Sequence, residues 1–249
     1  MVPILTYHSI DSSGSVISTS PDQFRRQMEI LKRSAFTVLP LNRLCSIIQS
    51  REAMPESSVV ITFDDGFKNV YQHAFPVLKE HGFQATIYLV TSFCGKNNRW
   101  PGQPGSIPLF DLMDWTEIEE MAENQMEFGS HSATHRNLKA LAENELQEEI
   151  LHSKEVLVDR TGRTNISFAY PYGKQSSAAK RIVEEKFYSA CSTNMDFVST
   201  ESDLYFLPRI DMYYFSGNDH FAKVGTSAFA RYIRFRSAFR FVKQLVTGD

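Results

Sequence analysis

Short apolar runs rich in β-branched residues recur along this chain, and between them lie longer segments whose apolar residues follow helical spacing. That alternation restricts the fold more than any other feature, because parallel strands need long crossovers, usually helices, whereas antiparallel strands do not. It predicts an α/β fold built on a mainly parallel sheet or barrel. Strand candidates lie at 3–7, 35–39, 58–63, 85–90, 126–129, 166–170, 189–193 and 205–210, with helix candidates near 21–34, 41–50, 67–81, 115–124, 143–161, 175–187 and 226–246. Two helix starts are well marked: Ser20-Pro21-Asp22 pairs a capping hydroxyl with proline at the first helical position, and Trp115-Thr116-Glu117 opens an amphipathic run.

Composition then removes several classes. A hydrophobic share of 42% with 12% aromatics supplies enough burial to offset chain entropy, so the chain is not a disordered one. Its 26 basic and 29 acidic residues leave a net charge of −3, which gives no general footprint for nucleic acid. Cys45, Cys94 and Cys191 form neither a CxxC pair nor a disulfide framework and read as reduced structural thiols. The opening residues lack a basic segment ahead of an apolar run, and no stretch of 18 apolar residues occurs. As given, the chain reads as soluble and cytoplasmic.

One segment breaks the alternation. Residues 95–108 are too rich in glycine and proline to continue a helix or a central strand. A loop of this length is either a substrate-facing lid, with Trp100 as its stacking platform, or a solvated excursion.

Three strings carry chemistry, each at the end of a strand candidate, where sheets and barrels of this class build their sites. In Val59-Val60-Ile61-Thr62-Phe63-Asp64-Asp65-Gly66 a buried strand stops at two carboxylates and a glycine. With a metal present, one aspartate ligates it and its neighbour takes a proton from water; without one, the string is a solvated turn or a helix cap. In Phe128-Gly129-Ser130-His131-Ser132-Ala133-Thr134-His135 two histidines four positions apart fall on one face of a helical turn, from which both imidazoles reach a single ion. Asp65, His131 and His135 together offer two nitrogens and one oxygen, the composition of a catalytic zinc site. In Phe168-Ala169-Tyr170-Pro171-Tyr172-Gly173 proline and glycine fix a tight turn that can aim an N–H at a developing oxyanion, or simply join a strand to a helix.

In this order and spacing, Thr62-Phe63-Asp64-Asp65-Gly66, His131-Ser132-Ala133-Thr134-His135 and Tyr170-Pro171-Tyr172-Gly173 resemble the NodB-homology domain of polysaccharide deacetylases. The resemblance covers nearly the whole chain as one domain, 1–249. It implies a distorted (β/α) barrel of about seven strands, one divalent ion (usually Zn2+, with Co2+, Ni2+ or another first-row ion as alternatives), and removal of the N-acetyl group from an amino sugar in a glycan. It further implies Asp65, His131 and His135 as metal ligands, Asp64 as general base and the Tyr172 backbone N–H as an oxyanion donor. Trp100 and Tyr172 would line a sugar-sized groove.

Two departures stand out. Ala169 occupies the place where many members carry an arginine that orients the catalytic aspartate, and no Leu-x-His string near the C-terminus supplies the acid. Ile4-Leu5-Thr6-Tyr7-His8-Ser9 resembles the Tyr-His motif of a subgroup in which that histidine is the acid, so His8 is the candidate acid. Arg209, in Leu207-Pro208-Arg209-Ile210, is the candidate replacement for the arginine. The competing readings are a metal amidohydrolase acting on a small non-sugar amide or imide, and a silent glycan-binding module. Finally, the helix around 226–246 interleaves Arg231, Arg234, Arg236, Arg240 and Lys243 with Phe235, Phe239, Phe241, Val242 and Leu245. It either packs on the barrel or touches an anionic membrane surface.

Overall fold

The computed structural model describes the backbone of residues 1–215 and 219–247 and the side chains of 1–215 and 220–239. The described residues form ten strands: β1 (Ile4–Tyr7), β2 (Ser9–Ile10), β3 (Ser18–Thr19), β4 (Thr37–Val38), β5 (Ser58–Phe63), β6 (Thr86–Leu89), β7 (Glu127–Ser130), β8 (Ser167–Ala169), β9 (Ser189–Cys191) and β10 (Ile210–Asp211). The helices are α1 (Pro21–Arg33), α2 (Leu41–Ser50), α3 (Phe75–His81), α4 (Trp115–Glu123), α5 (Glu143–Gln147), α6 (Ser153–Thr161), α7 (Ser177–Lys186) and α8 (Ser227–Thr247). A π-helical turn, Glu148–His152, joins α5 to α6, and another, Val70–Ala74, leads into α3. Seven strands in the order β10-β1-β5-β6-β7-β8-β9 form one curled parallel sheet, and β4 adds to β5. This is a distorted (β/α) barrel.

The last strand candidate is corrected. Of residues 205–210 only the final position is in β10, because Pro208 has no N–H to give a ladder. The segment still works as a seam: Leu207 forms a parallel bridge with Cys191 on β9, and Ile210 pairs with Leu5 on β1. The small parallel pair β2–β3, too short to leave a periodicity signal, lies just after His8.

Strands buried on both faces read as unbroken apolar runs, and β5, Ser-Val-Val-Ile-Thr-Phe, is buried throughout. Side-chain alternation splits the burial into two cores. Leu5, Ile61, Ile87, Phe168 and Ala190 join a core with the surrounding helices, whereas Ile4, Val60, Tyr88, Ala169, Cys191 and Leu207 form a second with Leu44 and Cys45 of α2. That second core plugs the barrel. Continuing its register by steps of two beyond Ile4 and Val60 leads to His8 and Asp64, above the plug, while Arg209, level with Ile4 in the β1–β10 register, extends its guanidinium up to Asp64.

In α8, Phe229 and Ile233 are buried against the barrel, while Arg231 and Arg234 are exposed and Phe235 and Phe239 are 72% and 66% exposed. The side chains of Arg240, Phe241, Val242, Lys243 and Leu245 lie outside the described residues. Among the described residues no helix is long and apolar enough to cross a membrane.

Candidate active site

The carboxyl ends of β1, β5 and β7 deliver most of the site, and Arg209 joins it from just before β10. After Phe63, β5 gives way to a turn in which Asp65 has φ 73° and Gly66 φ 77°, and this reversal turns consecutive aspartates in different directions. Asp64 is buried beside Arg209, whose Nη1 donates to Oδ1 at 2.7 Å and Nη2 to Oδ2 at 2.8 Å, while Nε donates to the Ser192 carbonyl at 2.9 Å. Such a fork is the strongest and most directional pairing a carboxylate can make. Burial alone would raise the Asp64 pKa, but the charge of Arg209 and the nearby histidines outweigh it and hold the carboxyl well below the usual range. His8 Nε2 lies 3.8 Å from Asp64 Oδ2.

Asp65 faces the histidines. Its Oδ1 is 3.6 Å from His131 Nε2 and 3.3 Å from His135 Nε2, and these three atoms form the one metal-competent cluster of three or more such residues among the described residues. Asp65 Oδ1 is fully buried with no hydrogen-bond partner, an acceptor left over by the protein itself. The 3.3 and 3.6 Å separations lie near the edges of a tetrahedron with ligand bonds of about 2.0–2.1 Å, and all three atoms fall within 4.8 Å of one another, so the donor set fits a zinc-sized cation. The His131 Nδ1 lies 2.7 Å from the Ala169 carbonyl, which fixes that nitrogen as the donor and leaves Nε2 free to ligate. Burial pushes the His131 pKa down to about 4, keeping the imidazole neutral.

The helical placement of the two histidines is corrected: residues 131–135 follow β7 as an irregular loop. Ser130 Oγ accepts the N–H of Ser132 at 3.1 Å and Ser132 Oγ that of His135 at 3.0 Å, side-chain bonds that compete with a helical turn. Four of the eight non-glycine residues with positive φ among the described residues, Asp65, Ser132, His135 and Tyr172, belong to this site. Strain of this kind gathers where function demands it.

Trp100 also differs from expectation. It is 3% exposed, with its ring 4.6 Å from that of His135 and its Nε1 donating to Gln103 Oε1 at 3.1 Å. It is a largely buried wall behind His135, and it also borders the groove beyond the loop. Tyr172, 40% exposed, closes the other side of His135 with ring centroids 4.6 Å apart. Its backbone N–H, at φ 57°, has no protein acceptor among the described residues.

These groups border two adjoining cavities of about 220 and 160 Å3, both touching His8, Asp64, Tyr172 and Thr193. Gln103, Pro104 and Ile107 bring the loop at 95–108 to the rim of the larger cavity, and the same three residues border a groove of about 560 Å3 beyond it. Ser192, Thr193 and Gln103 escaped sequence reading, since single polar residues in loops carry no spacing signal.

A parallel barrel thus brings a carboxylate and two imidazoles around one point, a group that could hold a metal ion, beside a second carboxylate. The polysaccharide deacetylase family matches residues 51–190, more than half of the chain, and the chain belongs to that family. The putative polysaccharide deacetylase YxkH of Bacillus subtilis (strain 168) is 27% identical over 84% of this chain and 70% of its own length. The poly-beta-1,6-N-acetyl-D-glucosamine N-deacetylase of Staphylococcus aureus (strain MRSA252) is 25% identical over 78% of this chain and 67% of its own length. In three dimensions the chain is similar to IcaB from Ammonifex degensii, with a TM-score of 0.76, 24% identity and coverage of 92% and 97% of the two chains, a likeness of fold.

Proposed function

We propose that this chain is a metal-dependent N-deacetylase that hydrolyses the N-acetyl group of an N-acetylhexosamine unit in a glycan and releases acetate. The observation that carries the reading is the division of labour between adjacent aspartates. Asp65 offers an orphaned oxygen to the two imidazoles, whereas Asp64 is turned away into the Arg209 fork and kept anionic. The name of the S. aureus relative supports the amino-sugar class.

Asp65, His131 and His135 would hold the ion. When bound, a divalent cation there supplies Lewis acidity to the acyl oxygen and to the attacking water. Asp64 takes a proton from that water, Arg209 fixes the orientation of the Asp64 carboxylate, and the Tyr172 N–H donates to the oxygen on which charge develops. As the C–N bond breaks, His8 gives its proton to the leaving nitrogen, so that water and amide become acetate and an amine.

The test is acetate release from N-acetylglucosamine oligomers by protein of measured metal content. Purified protein is expected to hold about one divalent ion, and Asp64→Asn to keep that ion while losing roughly 10²–10⁴-fold in turnover. Activity that survives Asp64→Asn or complete chelation refutes the mechanism. His8→Ala is expected to depress turnover with metal content intact; loss of metal instead would make His8 a ligand rather than the acid.

A further inference from the structure

The loop between the two histidines is strained, and a single buried carboxylate outside the site restrains it. Ser132 and His135 have φ of 64° and 60°, a conformation that persists only where the surroundings over-determine it. Serine hydroxyls supply the restraint inside the loop, as described above. From the sheet side, the N–H groups of Thr91 and Ser92 donate to the carbonyls of Ser132 and Ala133 at 3.3 and 3.0 Å. These bonds fix the two carbonyls but leave the N–H groups of Ala133 and Thr134 to be satisfied elsewhere.

Glu149 satisfies both. Its carbonyl accepts the Ala133 N–H at 3.0 Å, its Oε2 accepts the Thr134 N–H at 2.9 Å, and its Oε1 accepts the Thr134 hydroxyl. The residue is 5% exposed and makes no ion pair among the described residues, so both its carboxyl oxygens and its carbonyl are committed to this loop. It stands in the π-helical turn Glu148–His152, and such widened turns favour functional sites. One turn on, Ser153 Oγ lies 2.6 Å from Ser130 Oγ, the same oxygen that holds Ser132. The helix 143–161 therefore grips the loop at two points, immediately before and in the middle of the histidine pair.

We infer that Glu149 is a positioning residue for the metal triad: by fixing the Ala133–Thr134 peptide it sets the separation of the His131 and His135 Nε2 atoms and thereby the affinity for a divalent cation. The inference rests on the metal-binding reading proposed above. A merely structural tie between helix and barrel predicts something else, a less stable metal-free protein with unchanged metal affinity.

The two are separated on the full chain, stripped of metal and titrated with Zn2+ against a chromophoric chelator, with the thermal midpoint of the metal-free form measured alongside. Glu149→Gln and Glu149→Ala are expected to bind Zn2+ about 10–100-fold more weakly, the range found when groups that orient metal ligands are removed. Thr134→Val should weaken binding less, and its effect combined with Glu149→Gln should fall short of the product of the two, because both remove one contact. Excess Zn2+ should restore acetate release to Glu149→Gln. Should Glu149→Ala fail to fold, Glu149→Gln and Thr134→Val decide the matter. Folded Glu149→Gln with a Kd within twofold of the parent, or losses that multiply fully, overturns the inference alone. A parent protein that binds no divalent ion overturns the metal reading and this inference together.

Discussion

Asp64 and Arg209 are 145 residues apart in the chain yet form a buried two-pronged ion pair. Removing one member of such a pair strands the other charge in a poorly solvated site, at a cost of about 3–5 kcal/mol. Arg209→Ala is therefore expected to lower both thermal stability and turnover, while Arg209→Lys recovers more stability than rate, since an ammonium cannot hold two oxygens in one orientation. Thermal unfolding and acetate release on the same samples check this; equal recovery of both by lysine would remove the orienting role. The sequence pointed to Asp64 through a motif and to Arg209 only through the vacancy at Ala169, because no local pattern encodes a contact closed by the whole barrel. The burial of Trp100 was illegible for a related reason: a tryptophan in a Gly/Pro-rich loop gives no sign of whether the loop folds back over it, although it still borders the groove there. The thiols are a third case. Burial pushes Cys45 and Cys94 up to about 12 and raises Cys191, so all three stay protonated at neutral pH. In native protein at pH 7.5 the buried Cys45 and Cys191 should resist a maleimide that labels all three thiols once denaturant is added, and rapid native labelling of either would contradict the packing.

At the scale of elements, periodicity located the main strands well because parallel strands buried on both faces cannot avoid being apolar runs. It failed where a side chain overrode the backbone preference, as with the serines that replace a helical turn by the irregular loop 131–135. β7, which delivers that loop, is sensitive to bulk. A Cβ on Gly129 would lie 2.5 Å from Tyr88 Cε1 and 2.8 Å from the Ser167 carbonyl oxygen, so Gly129→Ala must part β7 from its neighbours. Overpacking of this kind costs about 1–3 kcal/mol, and metal affinity should fall with it. Preserved stability and affinity would show that β7 has slack. Glu127, at the start of the same strand, accepts from Thr86 Oγ1 at 2.8 Å and the Asn42 N–H at 3.4 Å, yet burial raises its pKa above the ordinary value. The native state thus binds this proton more tightly than the unfolded chain does, and stability falls as pH climbs from the unfolded value, about 4.3, through the raised native one. Glu127→Gln, neutral throughout, is expected to unfold at a higher temperature than the parent at pH 7, with the difference closing toward pH 4. Parallel stability curves across that range would exclude the effect.

For the molecule as a whole, the consequence of the alternating register is that one barrel end collects groups from both termini of the chain. His8 follows β1, Asp64 and Asp65 follow β5, His131 and His135 follow β7, and Arg209 precedes β10. The proposed ion would join β5 to β7 across the intervening β6, and it can do so only in the folded chain, because its ligands are about 70 residues apart in sequence. Binding confined to the native state stabilises it by RT ln(1 + [L]/Kd), about 2.7 kcal/mol at one hundred times Kd. Zn2+ added to stripped protein should therefore raise the thermal midpoint in a concentration-dependent way, and a chelator should reverse the rise. Asp65→Asn should abolish most of that response, whereas Asp64→Asn should retain it, since Asp64 faces Arg209 and not the histidines. A metal response that vanishes with Asp64 and survives the loss of Asp65 would exchange the roles of the two aspartates.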